Sequence, residues 1–213
     1  MTNRGVVLLA CVLLTACTRV IEDPQPSRRL PVAPITAGQV SDLLSEHAKP
    51  DEHPNLFVTA APERCAGLVQ EVDAPFIFGT TPAAHDGGQW FAKLDEPAVS
   101  VQEIVAVYPA NFDAGAAVDE VRRTIDACRN DTITTTTMKR QSVAFRMLPA
   151  QDSGQSEIAV WSVSGDHSCD NAFIAAHNAA IELTACSKVN GYDVLSLARD
   201  ALERIEALAN TKL

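Results

Sequence analysis

The chain of 213 residues carries a formal charge of −10 and is 46% hydrophobic but only 5% aromatic. That combination excludes a collagen, a disordered tail and a multi-domain machine, and it fits one globular core with ends attached. The acidity sets the chain against phosphate backbones, and no Lys/Arg-rich stripe reverses it locally, so nucleic acid is not an expected partner.

The N-terminus reads as an address. Arg4 sits in a short basic segment, followed by an uncharged run of 12 residues from Gly5 to Ala16. A membrane span needs about 20 apolar residues, so the run suits the apolar region of a secretory signal. It ends in Leu14-Thr15-Ala16-Cys17, which resembles the bacterial lipobox. Residues 1–16 are therefore the expected lipoprotein signal peptide, and Cys17 the expected lipid attachment and new N-terminus. Acyl chains contribute about 0.8 kcal/mol per buried CH₂, so two or three of them anchor a protein without any spanning helix. Cleavage there discards Cys11 and takes the formal charge from −10 to −11 through loss of Arg4. Residues 17–35 contain Pro24, Pro26, Pro31 and Pro34 without apolar periodicity, and they read as a semi-rigid tether in which Arg28 and Arg29 are solvated. The domain is expected over residues 36–213.

Thr36 is placed to cap a helix over residues 36–48, with Val40, Leu43 and Leu44 on one face and Pro50 and Pro54 beyond it. Pro62 starts a second short helix, over residues 63–70, carrying Cys65 and offering Leu68 and Val69 to the core. Residues 72–78, interrupted by Pro75, read as an edge strand or extended lip. His85-Asp86-Gly87-Gly88 is a turn signal, after which residues 89–93 begin a strand. Residues 99–108, with valines at 99, 101, 105 and 107, read as a core strand.

The clearest helix starts at Asn111 or Asp113 and runs to Arg129, with Ala114, Val118, Val121, Ile125 and Cys128 as its apolar stripe. Glu120, Arg122, Arg123 and Asp126 lie outside it and read as solvated. Strands are expected over residues 132–138, 142–148 and 157–163. Then come a cysteine-flanked hairpin and a final helix over residues 193–209, with Val194, Leu197, Ala201, Leu202, Ile205 and Leu208 inward. This order has no βαβ repeat and predicts an α+β fold, an antiparallel twisted sheet with helices packed on one face.

Once Cys11 and Cys17 are set aside, Cys65, Cys128, Cys169 and Cys186 remain, an even number suited to an oxidising compartment. Their gaps of 63, 41 and 17 residues match no CxxC zinc or redox spacing. If residues 172–176 and 179–183 form a hairpin around His177-Asn178, Cys169 faces Cys186 at a non-hydrogen-bonded pair, where strands lie closest. Cys65 then pairs with Cys128 by elimination. The same register puts Ala172, Ile174, Ala176, Ile181, Leu183 and Ala185 on an apolar face, and Asn171, Phe173, Glu182 and Thr184 on the other. The rival is an alanine-rich helix, which would hold Cys169 and Cys186 about 25 Å apart, each with a different partner.

These four cysteines, the strand from Val101 to Tyr108 leading into the helix from Ala114 to Cys128, the cysteine hairpin and the final helix together resemble the PknH-like extracellular sensor domain. That family occurs at the outer end of mycobacterial PknH-type Ser/Thr kinases and in free mycobacterial lipoproteins. The resemblance covers about residues 36–213. It implies one domain with a large cleft for an unidentified ligand, held by disulfides matching Cys65 to Cys128 and Cys169 to Cys186. The sequence carries no kinase segment and no membrane-spanning helix, so a ligand signal is expected to need a second protein.

Other constellations read more plainly. Glu46, His47, Asp51, Glu52 and His53 have metal-binding side chains, but the histidines are outside helical i, i+4 spacing and the segment reads as a solvated loop. His167-Ser168 has the residue types of a base and nucleophile, but neighbours on a strand point to opposite faces and no GxSxG elbow is present. His177 reads as a turn residue, with Asn178 taking the left-handed conformation. Asn130-Asp131-Thr132 matches a glycosylation sequon. Trp90 and Trp161 are aromatic residues of the type that line clefts, although a place in the core suits both.

The expected protein is a non-catalytic lipoprotein on the outer side of the cell membrane. It needs no cofactor or metal and binds a small molecule, lipid or glycan in a cleft. A protein-interaction module acting on a membrane partner such as a sensor kinase is the alternative, and an envelope hydrolase with scattered carboxylates is another.

Overall fold

The computed structural model describes residues 33–50, 57–93 and 97–210. The signal, Cys17 and the tether up to residue 32 lie outside the described residues, as do Asp51, Glu52 and His53. Eight antiparallel strands form one sheet: β1 (Phe57–Ala61), β2 (Ala84–Lys93), β3 (Val99–Val107), β4 (Thr132–Thr137), β5 (Ser142–Met147), β6 (Ile158–Ser164), β7 (Ser168–Ala176) and β8 (Ala179–Ser187). Their spatial order is β1-β4-β5-β6-β7-β8-β3-β2. The helices are α1 (Pro75–Phe78), α2 (Ala114–Cys128) and α3 (Val194–Ala209), with 3-10 turns at Ala37–Leu43 and Glu63–Cys65.

The β7–β8 hairpin is the centre of the sheet. Ala176 pairs with Ala179 and Cys169 with Cys186, and the disulfide between those cysteines spans a Cα separation of 4.1 Å. The second bridge ties Cys65 to Cys128 at the last turn of α2. Positive φ at the hairpin falls on His177, at 52°, not on Asn178. The reason lies in the Asn178 side chain, which is buried. Its amide donates to Ile35 O and Tyr108 O at 2.9 and 2.8 Å, and its Oδ1 accepts from Ile35 N at 2.9 Å. Ile35 is thereby drawn into the core at 4% exposure, so the domain takes in at least one residue assigned to the tether.

The α+β architecture is present, but the helices cover both faces of the sheet and not one. Every residue of β7 is buried. Phe173 and Ala175 face one cluster, together with Val118, Val121 and Ile125 of α2. Ala172, Ile174 and Ala176 face the other, together with Val194, Ala198, Ala201 and Ile205 of α3. A strand buried on both sides loses the polar alternation that marks a one-faced sheet, and Asn171, Phe173, Glu182 and Thr184, on the face opposite the apolar one, are buried as well. The buried line of α3 runs through alanines, while Leu197, Leu202 and Leu208 are only half-buried at its edges. Small residues let that helix approach the sheet closely.

Several local expectations change. Asp113 caps α2 by accepting from Ala116 N at 2.9 Å. Arg122, expected in solvent, donates to Gln155 O, Ser156 O and Ile158 O and latches the loop before β6. The segment after Thr36 forms a 3-10 turn that ends at Leu43, not a helix to residue 48, and the helix expected over 63–70 shrinks to Glu63–Cys65. Pro75 opens the single turn of α1 instead of interrupting a strand, as its fixed φ and missing N–H allow. His85-Asp86-Gly87-Gly88 runs through β2 instead of turning, because all four residues pair with β3. β1 carries no clear strand signal in sequence; it lies at the edge beside β4 with its centre exposed.

Candidate functional site

A cleft opens on the α3 side of the sheet, between α3, β2 and the segment after the first 3-10 turn. Leu43 is fully buried and anchors that turn. The chain then folds along the edge of β2, where Lys49 and Gln89 exchange backbone hydrogen bonds of 3.1 and 2.9 Å. Gly88 permits this approach, since a Cβ there would stand 2.8 Å from Ala48 Cβ and 2.9 Å from Lys49 O. The result sets His47 across from Trp90, with ring centroids 6.4 Å apart.

The opposite lip is fixed from beneath. Buried Asp170 on β7 accepts from Gly191 N and Tyr192 N at 2.8 and 2.9 Å, and from Ser162 Oγ at 2.6 Å. Gly191 has φ of 112°, a conformation few other residues adopt, and it brings Tyr192 to the cleft wall. On the floor, Glu103 pairs with Arg204 of α3 and accepts from Ser45 N at 2.7 Å, while Arg204 Nε donates to Leu43 O at 2.8 Å. Burial raises the Glu103 carboxyl above its ordinary range, and Arg204 and the Ser45 N–H pull it back.

The larger part of the cleft, about 880 Å³, is bordered by Lys49, Gln89, Trp90, Phe91, Tyr192 and Leu197. An adjoining part of about 590 Å³ runs between Leu44, Leu183, Asp200, Glu203 and Arg204, and Glu46, His47, Trp90 and Leu197 border both. Such mixed walls, apolar with a few polar groups, are those of a ligand site. The pairing of β2 with β3 shifts register between Phe91 and Lys93. A bulge of this kind twists the strand end, and Trp90 and Phe91 both border the cleft although they are successive strand residues.

On the other face, a hollow of about 890 Å³ lies between α1 and α2, with Tyr108 stacked on Phe112 at a centroid separation of 4.1 Å. Beneath the neighbouring segment, Glu182 is buried, its Oε2 lacks a hydrogen-bond partner, and its carboxyl is pushed up to about 8 by burial and by the charge of Glu71. Glu71, itself raised by burial, accepts from Gly67 N. These carboxyls lie on the face opposite the α3-side cleft and do not converge with Glu46, Asp200 or Glu203.

The residues singled out from sequence fare differently. Trp90 borders the cleft, while Trp161 is core and donates from Nε1 to Leu68 O at 2.9 Å. Glu46 and His47 border the cleft. His167 is exposed and Ser168 is buried with its Oγ 3.4 Å from Ser164 Oγ, so the pair is split between solvent and interior. Among the described residues the one group with three close metal-ligand atoms is Cys65, Cys128 and Asp131, and its two sulfurs are joined in the disulfide. Glu103, Tyr192, Asp200, Glu203 and Arg204 were missed. Only Glu103 left a signal, as the one carboxylate among Val99, Val101, Val105 and Val107 on a single face of β3.

The model of the PknH-like extracellular domain family matches residues 25–204. The crystal structure of the extracellular domain of PknH from Mycobacterium tuberculosis aligns with a TM-score of 0.66 at 17% identity, over 83% of this chain and 99% of that one. An uncharacterised Mycobacterium smegmatis protein (12% identity, 85% and 99% coverage) and CalU16 of Micromonospora echinospora (10%, 59% and 86%) align at TM-scores of 0.33 and 0.29, too low to bear on the fold. No curated protein matches the chain. With a family match spanning most of the sequence and a shared fold behind it, the chain belongs to the PknH-like extracellular domain family.

Proposed function

We propose that this protein is a non-catalytic sensor of the cell envelope, held on the outer side of the membrane by lipid at Cys17, that takes a small molecule, lipid or glycan in the α3-side cleft. The cleft itself carries the reading. In a chain with two tryptophans and two tyrosines, one of each stands at its walls. The lips are fixed by backbone hydrogen bonds from Lys49, Gln89, Gly191 and Tyr192, so the cavity is formed before a ligand arrives. Glu182, pushed up to about 8, lies with Glu71 on the other face, and the raised carboxyl at this cleft, Glu103, is engaged by Arg204, which disfavours hydrolysis by paired carboxylates here.

No helix among the described residues is long and apolar enough to cross a membrane. Anchoring is assigned to Cys17 on the lipobox sequence Leu14-Thr15-Ala16-Cys17. Replacing Cys17 with Ser should move the protein from the membrane to the soluble fraction, and unchanged membrane retention would remove the anchor from the proposal. For the cleft, a thermal-shift screen of the full-length chain against envelope lipids and glycans should return stabilising compounds whose effect is lost in Trp90→Ala. Compounds that stabilise both proteins equally would place binding elsewhere.

A further inference from the structure

The chemistry of the cleft walls narrows the ligand class, on the reading that the cleft is the binding site. Four carboxylates border it, Glu46, Glu103, Asp200 and Glu203, against two permanent cations, Lys49 and Arg204. Arg204 is already engaged by Glu103 and by Leu43 O. Asp200 and Glu203, one turn apart on α3, are exposed side chains, and Glu46 is exposed with His47 at 3.9 Å. The electrostatic balance facing a ligand is thus negative, and a chain of formal charge −10 reinforces it at longer range.

The same walls supply ring faces. Trp90, Phe91 and Tyr192 border the mouth, and Phe91 is 63% exposed. Aromatic faces attract cations through their quadrupole, and carboxylates set beside them supply the countercharge. An anionic headgroup or phosphate would meet Lys49 alone, with carboxylates around it.

We propose that the cleft binds a ligand bearing an organic ammonium group, with the cation over the Trp90 ring beside Glu46, Asp200 and Glu203 and the ligand's apolar body along Leu197 toward Tyr192. A free amine and a lipid headgroup share this chemistry, and the probes separate them.

The test is calorimetric titration of the full-length chain in a non-ionic detergent with choline, spermidine, dihexanoylphosphatidylcholine and trehalose. Binding of choline or spermidine, weakened on the order of tenfold in Trp90→Ala and again in the double variant Asp200→Asn with Glu203→Gln, is the expected result. The double variant changes only exposed positions of α3 and guards against loss of folding in the tryptophan variant. Binding of the choline lipid without free choline or spermidine keeps the ammonium class and assigns it to a headgroup. Binding of trehalose alone, lost in Trp90→Ala, overturns the ammonium class while leaving the cleft as the site. Ammonium binding that neither variant alters overturns the placement, and binding of none of the four overturns the class.

Discussion

Glu103 on β3 and Arg204 on α3 form an ion pair across the floor of the cleft, with the carboxylate fully buried and the guanidinium a quarter exposed. Removing one partner of such a pair strands the other, at a cost of about 3–5 kcal/mol, whereas replacing both with apolar residues is often close to neutral. Arg204→Ala should therefore lower unfolding free energy by about 3 kcal/mol near pH 7 in urea titrations. The loss should shrink toward pH 5, because burial already raises the Glu103 carboxyl and without Arg204 it protonates more readily. The double variant Glu103→Met with Arg204→Met should recover most of the loss. A double variant as unstable as Arg204→Ala would show that packing, not stranded charge, is responsible.

The two disulfides should contribute unequally. Closing 63 residues through Cys65–Cys128 restricts the unfolded chain more than closing 17 through Cys169–Cys186, by chain entropy about 4 against about 3 kcal/mol. The hairpin bridge also lies within a ladder of nine paired positions, which holds its strands together without it. Pairwise replacement by Ala should give a larger drop in urea midpoint for Cys65 and Cys128. The reverse order would mean that the hairpin needs its bridge to form.

Much of this was legible in sequence because local pattern and burial agree there. The steps along α2, the valines of β3 and the register that sets Cys169 against Cys186 each follow from a single periodicity, and the structure has the same elements. Where the pattern failed, long-range packing had replaced local preference. Gly88 of β2 reads as part of a turn because its other use, admitting the Ala48–Lys49 segment, depends on residues about 40 positions away. Asn178 read as a turn former because its three bonds reach Ile35 and Tyr108. The cleft was least legible: its walls come from the segment after the first turn, the end of β2 and α3, and nothing in sequence spacing brings Lys49, Trp90 and Leu197 together.

Asn178 offers a direct test of that long-range tie. Substitution by Ala leaves Ile35 N, Ile35 O and Tyr108 O without their side-chain partner, and each buried unsatisfied group costs about 1–3 kcal/mol. The expected outcome is a loss of about 3 kcal/mol in global stability together with faster hydrogen exchange at the Ile35 amide. Unchanged protection of that amide would mean that Ile35 is held by its packing alone.

The buried carboxyls set the pH dependence. Glu182 is pushed up to about 8 by burial first and by Glu71 second, while Glu71 is raised by burial. In the unfolded chain both ionise near their ordinary value of about 4.5. Between that pH and about 8 the folded state therefore binds more protons than the unfolded state, and stability falls as pH rises. Tyr108, whose hydroxyl donates to Ile77 O at 2.8 Å, is also raised by burial and by Glu182, so it stays protonated through this window. Glu182→Gln removes the steepest contributor. Its unfolding free energy should fall less than that of the parent protein from pH 5 to pH 8, and the difference should reach a few kcal/mol in favour of the variant at the alkaline end. Parallel curves for the two proteins would mean that Glu182 is ionised in the fold, which the unpartnered Oε2 makes costly.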